Sequence, residues 1–425
     1  MSKNFSLGTI AVQGGYKPNP GEPRVLPIFQ STSYQQGDPD HVAKLFGLEA
    51  EGHLYTRISN PTIAAYEEKY AALQGGVAAV ATSSGQAAIF YAIANIAKAG
   101  DHIISTSALY GGTFNLFNIN LRKFGIDVTF VDPEASEEEI LALAKENTKA
   151  IYGEIIGNPG LNILDLDKFS RVAKKIGVPL IVDNTVPSPY LCNPFEFGAN
   201  IVVHSTTKYS DGHAVAVGGI IVDGGNFDWA NGKFPEFTEP DSSYHGIKYI
   251  EAFGKAAYAV KARVTLLRDL GAAPSPFNAF LTNLGLETLH LRMERHSLNA
   301  LKLAEFLSQH PKVSWVNYPY LEGNSQYERA QKYLKGGASG VLTFGIKGGV
   351  EEGKKLIKNL EIATLVVNLG DARTYILHPA STTHAQLSEE EQKASGVSPD
   401  LLRISVGIED TEDLIRDFEQ ALNLL

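Results

Sequence analysis

Residues 177–208 read GVPLIVDNTVPSPYLCNPFEFGANIVVHSTTK, and they contain two apolar runs of strand length, VPLIVDN (178–184) and NIVVHST (200–206). A strand with one wet face alternates apolar and polar residues; one that is apolar throughout is covered on both faces. Working outward, the same pattern recurs in KAIYGEII (149–156), DVTFVD (127–132), HIIST (102–106), VAAVAT (77–82) and GGIIVD (218–223). Amphipathic segments at 85–98, 112–124, 136–146 and 166–176 separate most of these runs, and the third opens with Ser136 and Glu139 at capping-box spacing. Strands alternating with helices predict an α/β fold with a mostly parallel sheet in a large domain.

Beyond this centre the pattern changes. Residues 1–60 carry Pro18, Pro20, Pro23 and Pro27 with no sustained period, and read as an extended arm. Asn60-Pro61 predicts a helix start, Ile63, Tyr66, Tyr70 and Leu73 fall on one helical face, and Gly75-Gly76 ends it. Residues 226–250 are rich in aromatics and turn formers. A long helical region then runs from about 258 to about 310, interrupted near Pro274 and Pro276. Strand-like VSWVNYP (313–319), GVLTFGI (340–346) and LLRISVG (401–407), with helices at 350–360 and 410–424, predict a smaller α+β domain. The expected division is an arm at 1–60, a large domain at 61–260 and a small one at 261–425.

Composition narrows the function. The 425 residues hold 37 Lys plus Arg and 47 Asp plus Glu, a net charge of −10. With no basic run, this argues against nucleic acid or an anionic membrane as partner. The single cysteine, Cys192, forms no internal disulfide and suits a reducing compartment. The start MSKNFSLGTIAVQGG lacks an apolar core of signal-peptide length, so a soluble, cytoplasmic protein is expected. Dinucleotide, P-loop, serine-hydrolase and zincin motifs are missing, and the eleven histidines are scattered, so no metal site is expected.

The remaining chemistry lies where open α/β sheets place ligands, at the C-terminal ends of strands. One run ends in Asp183, the next in Ser205, Thr206, Thr207 and Lys208. A carboxylate for a pyridinium nitrogen, hydroxyls for a phosphate and a lysine for an imine are what pyridoxal phosphate requires. Taken singly, Lys208 also reads as a surface lysine and Asp183 as a turn residue. Strand VAAVAT leads into Ser83-Ser84-Gly85-Gln86-Ala87, a helix start whose free N–H groups bind phosphate, with Ser84 as ordinary cap the plainer reading. Tyr110, after HIIST, is placed to stack on a cofactor ring or simply to pack at the rim.

Eleven stretches together give the sequence a resemblance to a known family. They are LYTRISNPT (54–62), SSGQAA (83–88), LYGGTFNLF (109–117), GNPGLNILD (157–165), IVDNT (181–185), VVHSTTK (202–208), NGKFPEFTEPDSSYHG (231–246), SPFNAFL (275–281), GLETLHLRMERH (285–296), GDARTYILHPASTTHAQL (370–387) and LLRISVGIED (401–410). The chain resembles the fold type I, pyridoxal-phosphate-dependent enzymes of Cys/Met metabolism, and among them the O-acetylhomoserine sulfhydrylases. The resemblance implies that Lys208 forms the imine and shuttles protons, that Asp183 pairs with the ring nitrogen, and that Tyr110 stacks on the ring. It assigns the phosphate to Ser84, Gly85, Gln86, Ser205 and Thr207, with Tyr55 and Arg57 reaching it from a neighbouring subunit of a dimer of dimers. Arg403, helped by Asn158, Ser381 and Tyr55, would bind the substrate α-carboxylate. Independently, Arg403 stands inside an apolar strand, where an unpaired charge is costly and a bound anion or a protein carboxylate must answer it.

The implied reaction is γ-replacement on O-acetyl-L-homoserine by sulfide or methanethiol, giving homocysteine or methionine and acetate. Cystathionine γ-synthase, a methionine or cystathionine γ-lyase, and a non-catalytic cofactor-binding protein are the alternatives. Gly112 stands where γ-lyases tend to carry cysteine, and Val186-Pro187-Ser188 replaces a frequent Phe-Ala-Thr.

Overall fold

The computed structural model describes residues 5–383 and 397–425, so the HAQL end of the 370–387 stretch lies outside the described residues. Seven strands form the large sheet: β1 (Ala78–Thr82), β2 (His102–Thr106), β3 (Asp127–Val131), β4 (Thr148–Glu154), β5 (Leu180–Asp183), β6 (Ile201–Ser205) and β7 (Gly219–Asp223). Their order is β1-β7-β6-β5-β4-β2-β3. All pairs are parallel except those of β7, which runs antiparallel to β1 and β6. The reason is local: 206–218 connects β6 to β7 without a crossover helix, so the chain returns in the opposite direction.

Apart from the edge strand β3, which is only partly buried, these strands are buried on both faces. Successive residues enter different cores, Ile181 one and Val182 the other, and Ile103 and Ile104 divide likewise. That is why the strands carry no polar alternation. Helices Gly85–Ala94 and Leu166–Ile176 lie among the covering elements, and the Ser136–Glu139 capping box forms. The aromatic segment after β7 is a packing cluster: Trp229 stacks on Phe237 at 4.6 Å and on Tyr258 at 5.1 Å.

A second sheet holds β8 (Val313–Asn317), β9 (Val341–Ile346), β10 (Thr364–Leu365), β11 (Tyr375–Leu377) and β12 (Leu401–Ser405), in the order β10-β11-β12-β9-β8. β10 and β11, at two and three residues, are too short to show a period in sequence. Helix Leu289–Gln309 packs on β8 and β9 and on the C-terminal helix Thr411–Asn423. The interruption expected at the prolines is real: Ser275 caps and Pro276 opens helix Pro276–Glu287.

Residues before 60 are less irregular than expected, because two short helices form, Leu7–Gln13 and Pro39–Phe46. The second has an unambiguous local cause, Asp38 as cap followed by Pro39. The first seats Ala11 in the core, a tertiary effect.

Helix Pro61–Gln74 begins at Asn60, whose Oδ1 accepts from the N–H groups of Thr62 (2.9 Å) and Ile63 (3.4 Å). The same side chain donates through Nδ2 to Phe29 O and Tyr34 Oη, both at 2.8 Å. One buried amide therefore both caps the helix and fastens the N-terminal segment to it. Asn60→Ala removes a cap worth about 1 kcal/mol and one of the two donors to the Phe29 carbonyl, which keeps only the Ser31 N–H at 3.0 Å. The expected result is a lowered melting temperature, with proteolytic cleavage near 25–34 preceding loss of the core; cleavage no faster than in wild type would refute this anchoring role.

Candidate active site

The C-terminal ends of β4, β5 and β6 place Glu154, Asp183 and Ser205 side by side, with Glu154 and Asp183 in direct register. Both carboxyl groups are buried, and burial raises the pKa of each. For Glu154 the nearby charge of Asp183 adds to the rise. Asp183 Oδ1 accepts from Thr185 N–H at 2.8 Å, which favours its charged form. Glu154 Oε1 accepts from the backbone N–H of Tyr110 at 2.8 Å and so fixes the loop after β2.

Beside them, helix Gly85–Ala94 starts against the end of β6. A Cβ on Gly85 would lie 2.6 Å from the Ser205 Cβ, so only glycine lets this helix terminus approach so closely. Ser84 does act as cap, accepting from Ala87 N–H at 3.2 Å. The N–H groups of Gly85 and Gln86 have no helical carbonyl to reach and remain available at the positive end of the helix dipole. Thr185 Oγ1 accepts from Ser205 N–H at 2.8 Å, and Thr207 exchanges hydrogen bonds with Gly218 at 3.1 and 3.2 Å. Tyr110, 54% exposed, leans over Gly112 towards Gln86: a Cβ on Gly112 would lie 2.5 Å from the Tyr110 ring and 3.1 Å from Gln86 Nε2.

Lys208 follows in the turn after β6. Its Nζ donates to Asn368 Oδ1 at 2.6 Å. Burial, and secondarily the Arg403 guanidinium, bring its pKa down to about 8. Arg403, on β12, donates through Nη1 to Asn158 Oδ1 at 3.3 Å and through Nη2 to the Asn368 carbonyl at 3.2 Å. Its Nε is buried without a partner, and it forms no ion pair with a carboxylate among the described residues. Among the described residues no protein carboxylate answers this charge, and an anion from outside fits the gap.

The other expected residues lie apart from this cluster. Ser381 hydrogen-bonds His378, Oγ to Nδ1 at 2.9 Å, and not Arg403 among the described residues. Arg57 sits 5.3 Å over the exposed Tyr55 ring, and neither hydrogen-bonds to Lys208, Asp183 or Arg403. Cys192 is buried in the core, where desolvation pushes its thiol far up. Among the described residues no group of three or more His, Cys, Asp or Glu could hold a metal ion.

Three site residues escaped the sequence reading. Glu154 carried a usable signal, a carboxylate inside the apolar run KAIYGEII, the same clue that supports the Arg403 reading. Thr185 lies within IVDNT but had no assigned task. Asn368 had no local signal, since it is polar in a loop and meets Lys208 only through the fold.

The set fits pyridoxal phosphate on the structure's own terms. It offers a half-buried amine of lowered pKa, a buried carboxyl, a glycine-lined helix terminus beside hydroxyls, and a cationic side chain with a buried N–H unpaired among the described residues. Residues 8–423 match the family described as Cys/Met metabolism PLP-dependent enzyme. The chain is 52% identical over 432 residues to the O-acetyl-L-homoserine sulfhydrylase of Leptospira meyeri, covering 99% of this chain and 98% of that one. It is 48% identical over 420 residues to the homocysteine synthase of Schizosaccharomyces pombe, covering 98% of each. A Campylobacter jejuni crystal structure described as an O-acetylhomoserine (thiol)-lyase, with a pyridoxyl-lysine monophosphate in its chain, superposes with a TM-score of 0.94 at 38% identity, covering 99% of this chain and all of that one. Fold and sequence agree that this chain belongs to the pyridoxal-phosphate-dependent enzymes of Cys/Met metabolism.

Proposed function

We propose that this enzyme catalyses γ-replacement on O-acetyl-L-homoserine, exchanging the Cγ–O bond for a Cγ–S bond. Sulfide or methanethiol enters, acetate leaves, and homocysteine or methionine is formed. The observation that carries the reading is the Arg403 guanidinium, unpaired at Nε and joined through Asn368 to the Lys208 amine. An α-amino acid brings a carboxylate for the first and an amine that competes with the second. The relatives named as sulfhydrylases and homocysteine synthases, matched over nearly their full length, supply the substrate class.

When bound, pyridoxal phosphate supplies an electron sink for negative charge at the substrate carbons beside the amino group. Ser84, Gly85, Gln86, Ser205 and Thr207 are suited to its phosphate, Tyr110 to the face of its ring and Asp183 to its ring nitrogen. A cation at that nitrogen lowers the Asp183 pKa and reverses the effect of burial. Glu154, its pKa pushed up by burial and the neighbouring Asp183 charge, holds the Tyr110 loop by accepting from its backbone N–H.

Lys208 provides the acid–base chemistry. With its pKa near 8, a neutral fraction is present at physiological pH, ready to take a proton from substrate Cα. Asn368 aims the amine, and Arg403 with Asn158 holds the carboxylate so that Cα stays within reach. Ser381, next to segment 384–396, is assigned to the substrate side of the site on the family resemblance.

We also infer a homo-oligomer, a dimer of dimers, in which Tyr55 and Arg57 reach the phosphate of a neighbouring subunit. The exposure of Tyr55 and the absence of an ion pair at Arg57 among the described residues support this. No helix among the described residues is long and apolar enough to cross a membrane. That fact and a single buried cysteine support action in the cytoplasm.

Three outcomes test the proposal. Lys208→Ala is expected to abolish both the visible absorbance of the cofactor–lysine adduct and homocysteine formation; retention of either overturns the assignment. Arg403→Leu is expected to keep the absorbance and lose about a hundredfold in kcat/KM for O-acetylhomoserine, since hydrogen bonds to a charge contribute about 1.5–3 kcal/mol each. A loss confined to thermal stability contradicts the carboxylate role. Finally, the neutral amine is the nucleophile, so the rate of adduct formation by the cofactor-free protein should rise with pH and level off above about 8. A rate still climbing towards the ordinary 10.5 shows that Lys208 is not desolvated.

A further inference from the structure

Helix Leu289–Gln309 carries a buried polar stripe that the chemistry above leaves unused. Arg292, His296 and Asn299 stand at i, i+4 and i+7, on one face, and each is almost fully buried. A buried polar side chain must find partners. All three find backbone carbonyls instead of one another.

The carbonyls belong to the turn after Lys208, to the end of the preceding helix and to the segment after β12. Arg292 Nη1 donates to Tyr209 O at 2.7 Å, the residue after Lys208, while its Nη2 reaches Gly285 O at 2.5 Å. His296 Nδ1 lies 2.7 Å from Val406 O, and a carbonyl only accepts, so this nitrogen carries the proton. Asn299 Nδ2 donates to Gly407 O at 3.1 Å and Glu409 O at 2.8 Å. Val406 and Gly407 directly follow β12, the strand of Arg403. The Tyr209 ring lies edge-on to His296 at 5.0 Å, and its hydroxyl accepts from Gly340 N–H at 3.0 Å. The Gly340 carbonyl in turn accepts from Val406 N–H at 2.7 Å.

We infer that Arg292, His296 and Asn299 are positioning residues that fix the Lys208 turn of the large sheet relative to the Arg403 strand of the small one. The inference rests on Lys208 and Arg403 serving the two ends of one amino-acid substrate. Amino group and carboxylate sit on the same carbon, so the spacing of the groups that meet them admits little error. A helix is a rigid ruler for that spacing. Its N-terminal end grips the lysine turn, and its next two turns grip the arginine strand.

The test uses cofactor-loaded enzyme, with rates taken per bound cofactor so that unfolded protein does not count. His296→Leu leaves Val406 O without its donor and acts on the Arg403 end. The expected result is a KM for O-acetylhomoserine raised about tenfold, with the absorbance and induced circular dichroism of the cofactor–lysine adduct unchanged. His296→Asn, whose amide nitrogen can occupy the Nδ1 position, should recover the wild-type KM. Arg292→Met releases the lysine turn and should lower kcat about tenfold and alter the circular dichroism, with KM little moved. Should Arg292→Met fail to fold, the His296 pair decides the matter alone. The inference is overturned if the variants lose thermal stability or yield while KM and kcat per bound cofactor stay at wild type. Lys208→Ala and Arg403→Leu run alongside: an adduct in the first or an unmoved KM in the second faults the site assignment itself, whereas normal losses there with silent stripe variants fault only the stripe.

Discussion

Two cationic side chains meet on one residue, and most of the site follows from that. Asn368 accepts Lys208 at its side-chain oxygen and Arg403 at its backbone carbonyl. No protein carboxylate pairs with either among the described residues. Holding two such groups away from water is costly, and each charge makes the other less favourable. The consequence is visible at Lys208, whose pKa falls far enough for a neutral amine to exist at physiological pH. It is visible again at Arg403, which keeps a buried N–H without a partner among the described residues. A chain of net charge −10 therefore carries, at its centre, a small region poised to receive negative charge.

The acidic half of the site obeys the same physics with the sign reversed. Glu154 and Asp183 lie in register on adjacent strands, and burial disfavours charge on both. Their hydrogen bonds separate their tasks. Asp183 is at the strand end with a backbone donor from Thr185, ready to answer a cation. Glu154 is spent on the Tyr110 amide and acts through position. Parallel strands of β4, β5 and β6 make this possible, because they deliver successive strand ends to one edge.

Much of this was legible in the chain. Apolar runs without alternation gave the doubly covered sheet, and Asn60-Pro61 and Ser136…Glu139 marked helix starts that form as read. Asp183, Lys208 and Gly85 stand out because each breaks a local expectation, a charge ending an apolar run or a glycine at a helix start; Arg403 comes from the family resemblance, and its place inside an apolar run supports it. Ser84 shows the limit, since it caps the helix in the fold and local pattern alone does not separate a cap from a phosphate contact. The helices before residue 60 and the strands β10 and β11 were missed because they are short and owe their existence to packing.

The sequence by itself determined the layered sheet, the strand-end chemistry and the family, since these rest on periodicity, residue type and motif order along the chain. Only the tertiary structure decided which groups share a site. It brought the Asn368 loop onto both Lys208 and Arg403, paired Glu154 with the Tyr110 loop, and joined Arg292 to the Lys208 turn and His296 and Asn299 to the segment after β12. Those contacts join residues from 35 to 160 positions apart in the chain, and their geometry is set by how helices and sheets pack. Burial then shifted the pKa values, and burial is a property that no residue possesses until the chain has folded around it.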